Sequence, residues 1–135
     1  MIRKFKPDDI LKIKLQKEQE HEFNINAEFP ETTFTIETGK KILGVFGVVE
    51  IYAGRGEIFS FISADAGKSM IKIVRSLQKI ISQAFVKTGF ERLEMSVLEG
   101  FDNGDRLAGL LGFEYEGLMR KYYKGKNYKL YARIK

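Results

Sequence analysis

The chain has no cysteine and no tryptophan, a single histidine and two prolines among its 135 residues. Without cysteine there is no disulfide and no thiolate metal site, and a reducing compartment suits such a chain. The one histidine, His21, lies between Glu20 and Glu22 in a polar stretch. It cannot build a zinc site of several imidazoles, and the setting argues against a Ser-His-Asp triad. No apolar run reaches the length of a membrane span, and the N-terminus lacks the apolar core of a secretion signal. These absences predict a cytoplasmic protein that holds no metal and engages no membrane.

What is present fits a globular protein. Hydrophobic residues make up 44% and charged residues 30%, enough at this length for one domain, residues 1–135, with a real core. The net charge of +5 permits anionic partners, from a phosphorylated cofactor to nucleic acid, without selecting one. A solvated basic surface accounts for it equally simply.

Along the chain, Ile2 to Lys6 alternates apolar and basic residues like a short strand. Pro7-Asp8-Asp9 supplies a helix start, and Ile10 to about Gln19 reads as the first helix. The polar stretch 17–32 leads to an alternating strand at 33–37 and a nearly continuous apolar strand at 42–52. A turn at 53–56 and a strand at 57–63 complete an antiparallel meander. Met70, Ile73, Val74, Leu77, Ile80, Ile81, Ala84 and Phe85 then fall on one face of a long helix, which Gly89 ends. A strand at 92–98 follows, linked to the strand before the helix by a crossover. A short helix at 105–111 and strands at 113–122 and 128–134 close the chain. The short helix stops at Gly112, which suits a left-handed cap, and Phe113 enters the next strand at once.

Between strand and long helix lies Ser63-Ala64-Asp65-Ala66-Gly67-Lys68-Ser69. A helix N-terminus with a glycine and a lysine favours a phosphate. A P-loop is excluded, because Ile62 stands where that motif needs a glycine. The simpler account is a plain helix start, with Asp65 as the N-cap.

The order β-α-(α)-β-β-β-α-β-α-β-β, with the junction Leu111-Gly112-Phe113-Glu114-Tyr115-Glu116-Gly117, resembles the GCN5-related N-acetyltransferase (GNAT) superfamily. The resemblance covers almost the whole chain and is strongest over residues 42–134. It implies an α/β fold: a mixed, mostly antiparallel central sheet with splayed strands and a long helix after the fourth strand. It implies acetyl-CoA as cofactor and an amine as acceptor, joined by direct attack. By the same resemblance, Phe61, Ile62 and Ser63 present backbone to the pantetheine arm. Gly67, Lys68 and Ser69 cradle the pyrophosphate, and Asn103 falls near a cofactor-contacting asparagine, although a turn with Gly104 is the simpler role. The sequence departs from the family pattern in two places. Ala64 occupies the usual Gln/Arg position of the loop, and Ala108 stands where many of these enzymes carry an acidic tyrosine.

An acid-base group near the splayed strands would serve amine acetylation. Glu57 and Glu50 are the candidate bases, and Tyr122, with Tyr115 and Tyr123, the candidate replacement acid. A fainter resemblance, through Ser-x-x-x-Gly-Lys at the helix start and the Gly-Phe junction, is to acetyltransferase-fold proteins of short-tailed phages. It implies the alternative of an inactive binding or structural protein, or a virion component. Near the C-terminus Lys121, Tyr122, Tyr123, Lys124, Lys126, Lys129 and Arg133 interleave charge with aromatics. Strand alternation would bury one side of such a stretch, so nucleic-acid binding is not expected. A homodimer is left open.

Overall fold

The structure, a computed structural model, describes residues 1–24, 27–39 and 41–135. Among the described residues seven strands and three α-helices follow one another: β1 (Ile2–Lys4), α1 (Asp9–Lys12), β2 (Thr33–Thr38), β3 (Lys41–Tyr52), β4 (Arg55–Ile62), α2 (Met70–Lys87), β5 (Arg92–Leu98), α3 (Asp102–Leu110), β6 (Glu114–Tyr123) and β7 (Lys126–Ile134). The sheet order is β1-β2-β3-β4-β5-β7-β6, and β4 pairs with β5 in parallel. The mixed, mostly antiparallel sheet and the long helix after the fourth strand agree with the sequence expectation. Contacts group the chain into two compact units, Met1–Val49 with Phe59–Ser76, and Glu50–Ile58 with Leu77–Lys135.

In the first unit, β1 pairs with β2 and β2 with β3, all antiparallel. Ile10, Ile13, Ile42 and Val45 are buried together, with Phe5, Phe29, Phe59 and Phe61 packed against them. Gly47 makes room for this cluster, since a Cβ there would lie 2.3 Å from the Phe59 ring. Asp9, 1% exposed, ties α1 to the sheet. Its carboxylate accepts hydrogen bonds from the two terminal guanidinium nitrogens of Arg3 at 2.8 Å, the Lys6 N–H at 2.8 Å and the Thr35 hydroxyl at 2.7 Å.

The expected helix from Ile10 to Gln19 is not continuous. It stops at Lys12, Ile13 is extended with ψ 137°, and a separate 3-10 helix covers Lys17–Glu22. A helix of one turn satisfies few of its own backbone groups, and the residues released from it bond to β4 instead.

In the second unit, β5 pairs with β7 along its whole length and β7 with β6. The buried face of α2 expected from the sequence is present, with Ile73, Leu77, Ile81, Ala84 and Phe85 all under 10% exposed. The α3–β6 junction closes as a Schellman motif. Gly112, at φ +83°, gives its N–H to the Gly109 carbonyl, and the Phe113 N–H reaches the Ala108 carbonyl at 2.9 Å. Arg133 donates to the remaining Leu111 carbonyl at 3.1 Å. Phe113 is buried beyond the cap. Between β6 and β7, Lys124 and Gly125 both have positive φ, +49° and +73°, the geometry of a two-residue type I′ hairpin turn.

Candidate functional site

Ser63, 4% exposed, ends β4 by giving its N–H to the Leu43 carbonyl of β3 at 2.8 Å. Backbone direction alternates along a strand. Phe61 therefore also faces β3, and its carbonyl lies 3.3 Å from where a Gly44 Cβ would stand. Ser60 and Ile62 turn their N–H and C=O to the opposite edge. Of the three expected backbone contacts, Ile62 is the one aimed outward.

That outward edge is lined by the segment following α1. The Lys14 carbonyl takes the Ala64 N–H at 2.9 Å. The Gln16 amide donates to the Ile62 carbonyl at 3.0 Å, and the Gln19 amide to the Ser60 carbonyl at 2.8 Å. Gln19 is 8% exposed, and its Oε1 is buried without a hydrogen-bond partner. Flipping the amide would set oxygen against the Ser60 carbonyl, so this orphan acceptor is fixed by its own neighbour. Sequence reasoning missed both glutamines. They sit in a polar stretch more than forty residues from the strand they serve, and only their amide chemistry hints at a role.

Gly67, Lys68 and Ser69 form a 3-10 turn leading directly into α2. Gly67 has φ +45°, with nothing within 4 Å of the position a Cβ would take. Lys68 is exposed. No side chain caps this helix start, so Asp65 is not the N-cap expected from the sequence. Its carboxylate pairs with Lys14 at 3.5 Å, and its N–H meets the Ser63 hydroxyl at 3.1 Å. The negative charge beside the proposed phosphate cradle is thereby partly offset, although both groups are exposed and the pair is weak.

In the second unit, Glu57 of β4 stands opposite Glu94 of β5. Glu94 is held ionised below the usual range: hydrogen bonds from Arg55 at 2.6 Å and Arg92 at 2.7 Å outweigh the cost of its burial. Glu57 moves the other way. Burial, then the neighbouring Glu94 charge, push its carboxyl up, while Ser96 and Arg55 oppose the shift more weakly. The Ser96 hydroxyl lies 3.5 Å from Glu57 Oε1, long for a hydrogen bond. Glu50 is exposed on β3.

Tyr122 is 47% exposed, with its ring 5.5 Å from that of Tyr128. Tyr128 pairs with Leu98, four residues beyond Glu94 on β5, which is about 13 Å along the strand. The structure thus does not bring Tyr122 to Glu57. Tyr115 packs edge-on to Tyr131, whose hydroxyl donates to Asp105 at 2.8 Å. Asn103 lies within the first turn of α3 rather than in a loop. Gly104 beside it serves packing, not a turn, since its Cβ would meet Val97 at 2.6 Å and Phe101 at 2.8 Å. Ala108 is wholly buried. Among the described residues no cluster of His, Asp and Glu could hold a metal, and no helix is long and apolar enough to cross a membrane.

No protein-family model matches the sequence, and no curated protein matches it. Solved structures do. Ard1 from Thermoplasma volcanium superposes with a TM-score of 0.82 at 17% identity, covering 99% of this chain and 96% of that one. A GNAT-family acetyltransferase from Bacillus anthracis gives 0.75 at 15% identity, covering 98% and 93%. The microcin C7 self-immunity acetyltransferase MccE, in complex with acetyl-CoA and AMP, gives 0.66 at 18% identity, covering 76% of this chain and 60% of that one. At such identities the likeness is one of architecture, and it agrees with the order of elements and the Gly112-Phe113 junction: the chain is built on the GNAT acetyltransferase fold.

Proposed function

We propose that the protein is an N-acetyltransferase that moves an acetyl group from acetyl-CoA to an amine by direct attack. The fold supports acetyl transfer in general, and the MccE complex supports acetyl-CoA as the donor. The observation in this chain that carries the reading is Gln19. A buried carboxamide oxygen with no partner calls for an N–H donor, and it lies beside the outward edge of β4. The amide-bearing pantetheine arm is such a donor.

The residues fit the cofactor in three respects. Ile62 turns its N–H toward the outward edge of β4, where Gln16 already holds its carbonyl. Gly67, with empty space above it, lets a phosphate approach the start of an 18-residue helix, where N–H groups and the dipole favour an anion. Lys68 adds a positive charge, and the Ser69 hydroxyl a donor. When bound, acetyl-CoA supplies the thioester carbonyl that the amine attacks. Glu57 takes the proton from the acceptor ammonium, a role that its raised pKa suits, because a base is most effective when its pKa approaches the working pH. Arg55 and Arg92 keep Glu94 ionised, and that charge in turn holds up the Glu57 pKa. With Ala108 buried and Tyr122 remote from Glu57, no side-chain acid is assigned to the departing thiolate.

Calorimetric titration with acetyl-CoA, followed by thiol release assayed with a disulfide reagent against a panel of amines, tests the proposal. The chain has no cysteine, so every thiol detected is released CoA. Saturable binding and amine-dependent release are expected. Absence of binding at millimolar acetyl-CoA would overturn the reading.

A further inference from the structure

All eighteen acidic residues precede Gly117, whereas residues 117–135 hold seven Lys and Arg. The first 116 residues carry sixteen cations against those eighteen acids. The net positive charge of the protein therefore comes entirely from residues 117–135, and it is concentrated at the tip of the last hairpin. Arg120, Lys121, Lys124 and Lys126 fall within seven residues that also include Tyr122 and Tyr123.

Strand alternation should hide half of such a stretch, but every residue from Arg120 to Lys126 is exposed. The strand is irregular here. The β6–β7 register shifts between Met119 and Tyr123, and the Lys121 N–H is taken by the Asn127 side chain at 3.0 Å. Lys121 and Lys124, at φ +51° and +49°, are the two non-glycine positive-φ residues among those described. Lysine is an unfavourable choice at such positions, where Asn or Gly is usual. Among the described residues no carboxylate pairs with the side chains of Arg120, Lys121 or Lys126. Tyr122 and Tyr123 keep 47% and 38% of their surface exposed, while the buried Tyr128 meets the first ring at a tilt, 5.5 Å away, and the second edge-on at 6.4 Å. Lys124 Nζ stands 5.3 Å over the Tyr123 ring.

Packing explains none of these choices. Clustered like charges repel one another, and exposed tyrosines contribute little to a core. Exposed aromatic rings packed on a buried tyrosine and flanked by cations are the elements of a stacking platform with a phosphate track. We infer that the tip of the β6–β7 hairpin binds single-stranded nucleic acid, the cations holding phosphates and Tyr122 and Tyr123 stacking on bases. An acidic peptide would use the cations but leave the tyrosine faces without a role. In a duplex the bases are already stacked on one another. The inference rests on the hairpin alone and does not depend on acetyl transfer.

Fluorescence anisotropy of the full chain with a labelled 15-nucleotide oligouridine, at 50–200 mM KCl, tests it. Four phosphate contacts predict a log–log salt slope of about −3. The double variant K124E/K126E should weaken binding at least tenfold at 50 mM and flatten the slope by more than about one. The variant Y122L/Y123L, which keeps apolar cover over Tyr128, should weaken binding about tenfold with the slope unchanged, as loss of stacking requires. Circular dichroism checks that each variant is folded. If the tyrosine variant unfolds, the exposed lysine pair still decides the matter. No saturable binding at 50 mM KCl, or a slope unmoved by the lysine changes, would overturn the inference. Equal or tighter binding of a polyglutamate peptide, of phosphatidylserine vesicles or of a duplex of the same length would overturn it in favour of that polyanion.

Discussion

Glu57 and Glu94 face each other across the parallel β4–β5 pair, yet the two arginines that reach this spot hydrogen-bond to Glu94. Burial and the Glu94 charge raise the Glu57 pKa, so the folded state holds the Glu57 proton more tightly than the unfolded chain does. Stability therefore falls as pH rises through the raised value. Activity should rise through the same window, because the base must be deprotonated. Replacement by Gln removes both effects. Glu57→Gln should lower kcat at least about a hundredfold and leave acetyl-CoA affinity unchanged. It should also raise Tm at neutral pH, with the gain disappearing below about pH 4.3, the unfolded carboxylate value. Paired pH–rate and pH–Tm profiles check this. A variant that loses activity without gaining stability would show that Glu57 carries no burial cost.

Asp9 presents the opposite sign. Burial alone would raise its pKa, but hydrogen bonds from Arg3, the Lys6 N–H and Thr35 outweigh that and hold it well below the usual carboxylate range. Its contribution is fully present above the unfolded value of about 3.9 and is lost as pH falls below it. Removing the charge leaves Arg3 with Glu37 as its remaining carboxylate partner and gives the Lys6 N–H and the buried Thr35 hydroxyl a poorer acceptor. Asp9→Asn should cost about 3 kcal/mol of unfolding free energy at pH 7, and the cost should shrink in acid. Urea titrations at pH 7 and pH 3 measure it.

Where local chemistry decides the structure, the sequence could be read directly. The left-handed turn at Gly112 needs a residue without Cβ, and the buried face of α2 repeats with the helical period, so both were legible. The break in α1 was not, because Ile10 and Ile13 keep helical spacing while tertiary contacts pull Ile13 into an extended conformation. Nor could spacing reveal the ion pairs at Glu94, whose partner Arg55 lies 39 positions away. The glutamines beside β4 share that difficulty, since side-chain-to-backbone bonds over such separations leave no periodic trace. At the hairpin tip the alternation rule itself failed, because a register shift turns the residues on both sides of the strand outward.

Gln19 gives a test in which stability and binding part company. Its amide bonds the Ser60 carbonyl, but its oxygen is buried without a partner, and an unmade bond of this kind costs about 1–3 kcal/mol. In Gln19→Leu that cost disappears together with the Ser60 bond, so Tm should be unchanged or higher. Acetyl-CoA binding should weaken about fivefold, equivalent to roughly 1 kcal/mol for one hydrogen bond. Thermal unfolding and calorimetry on the same preparation read the two effects. Undiminished affinity would show that the oxygen does not meet the cofactor.

The cradle at the start of α2 can be tested with a matched pair of variants at Gly67. At φ +45° any side chain is strained there, by about 1–2 kcal/mol, but no neighbour lies within 4 Å to clash with it. Gly67→Ala and Gly67→Glu therefore share the backbone cost and differ mainly in size and charge. If the turn holds a pyrophosphate, the alanine variant should keep most of its acetyl-CoA affinity, because the first methyl meets open space. The glutamate variant should lose it, because a carboxylate would stand against the phosphates where the helix dipole and Lys68 favour an anion. The contrast should fade when a dephosphorylated analogue such as acetylpantetheine replaces acetyl-CoA, since only the pyrophosphate meets the new charge. Equal affinity of both variants for acetyl-CoA would place the phosphates elsewhere on the fold.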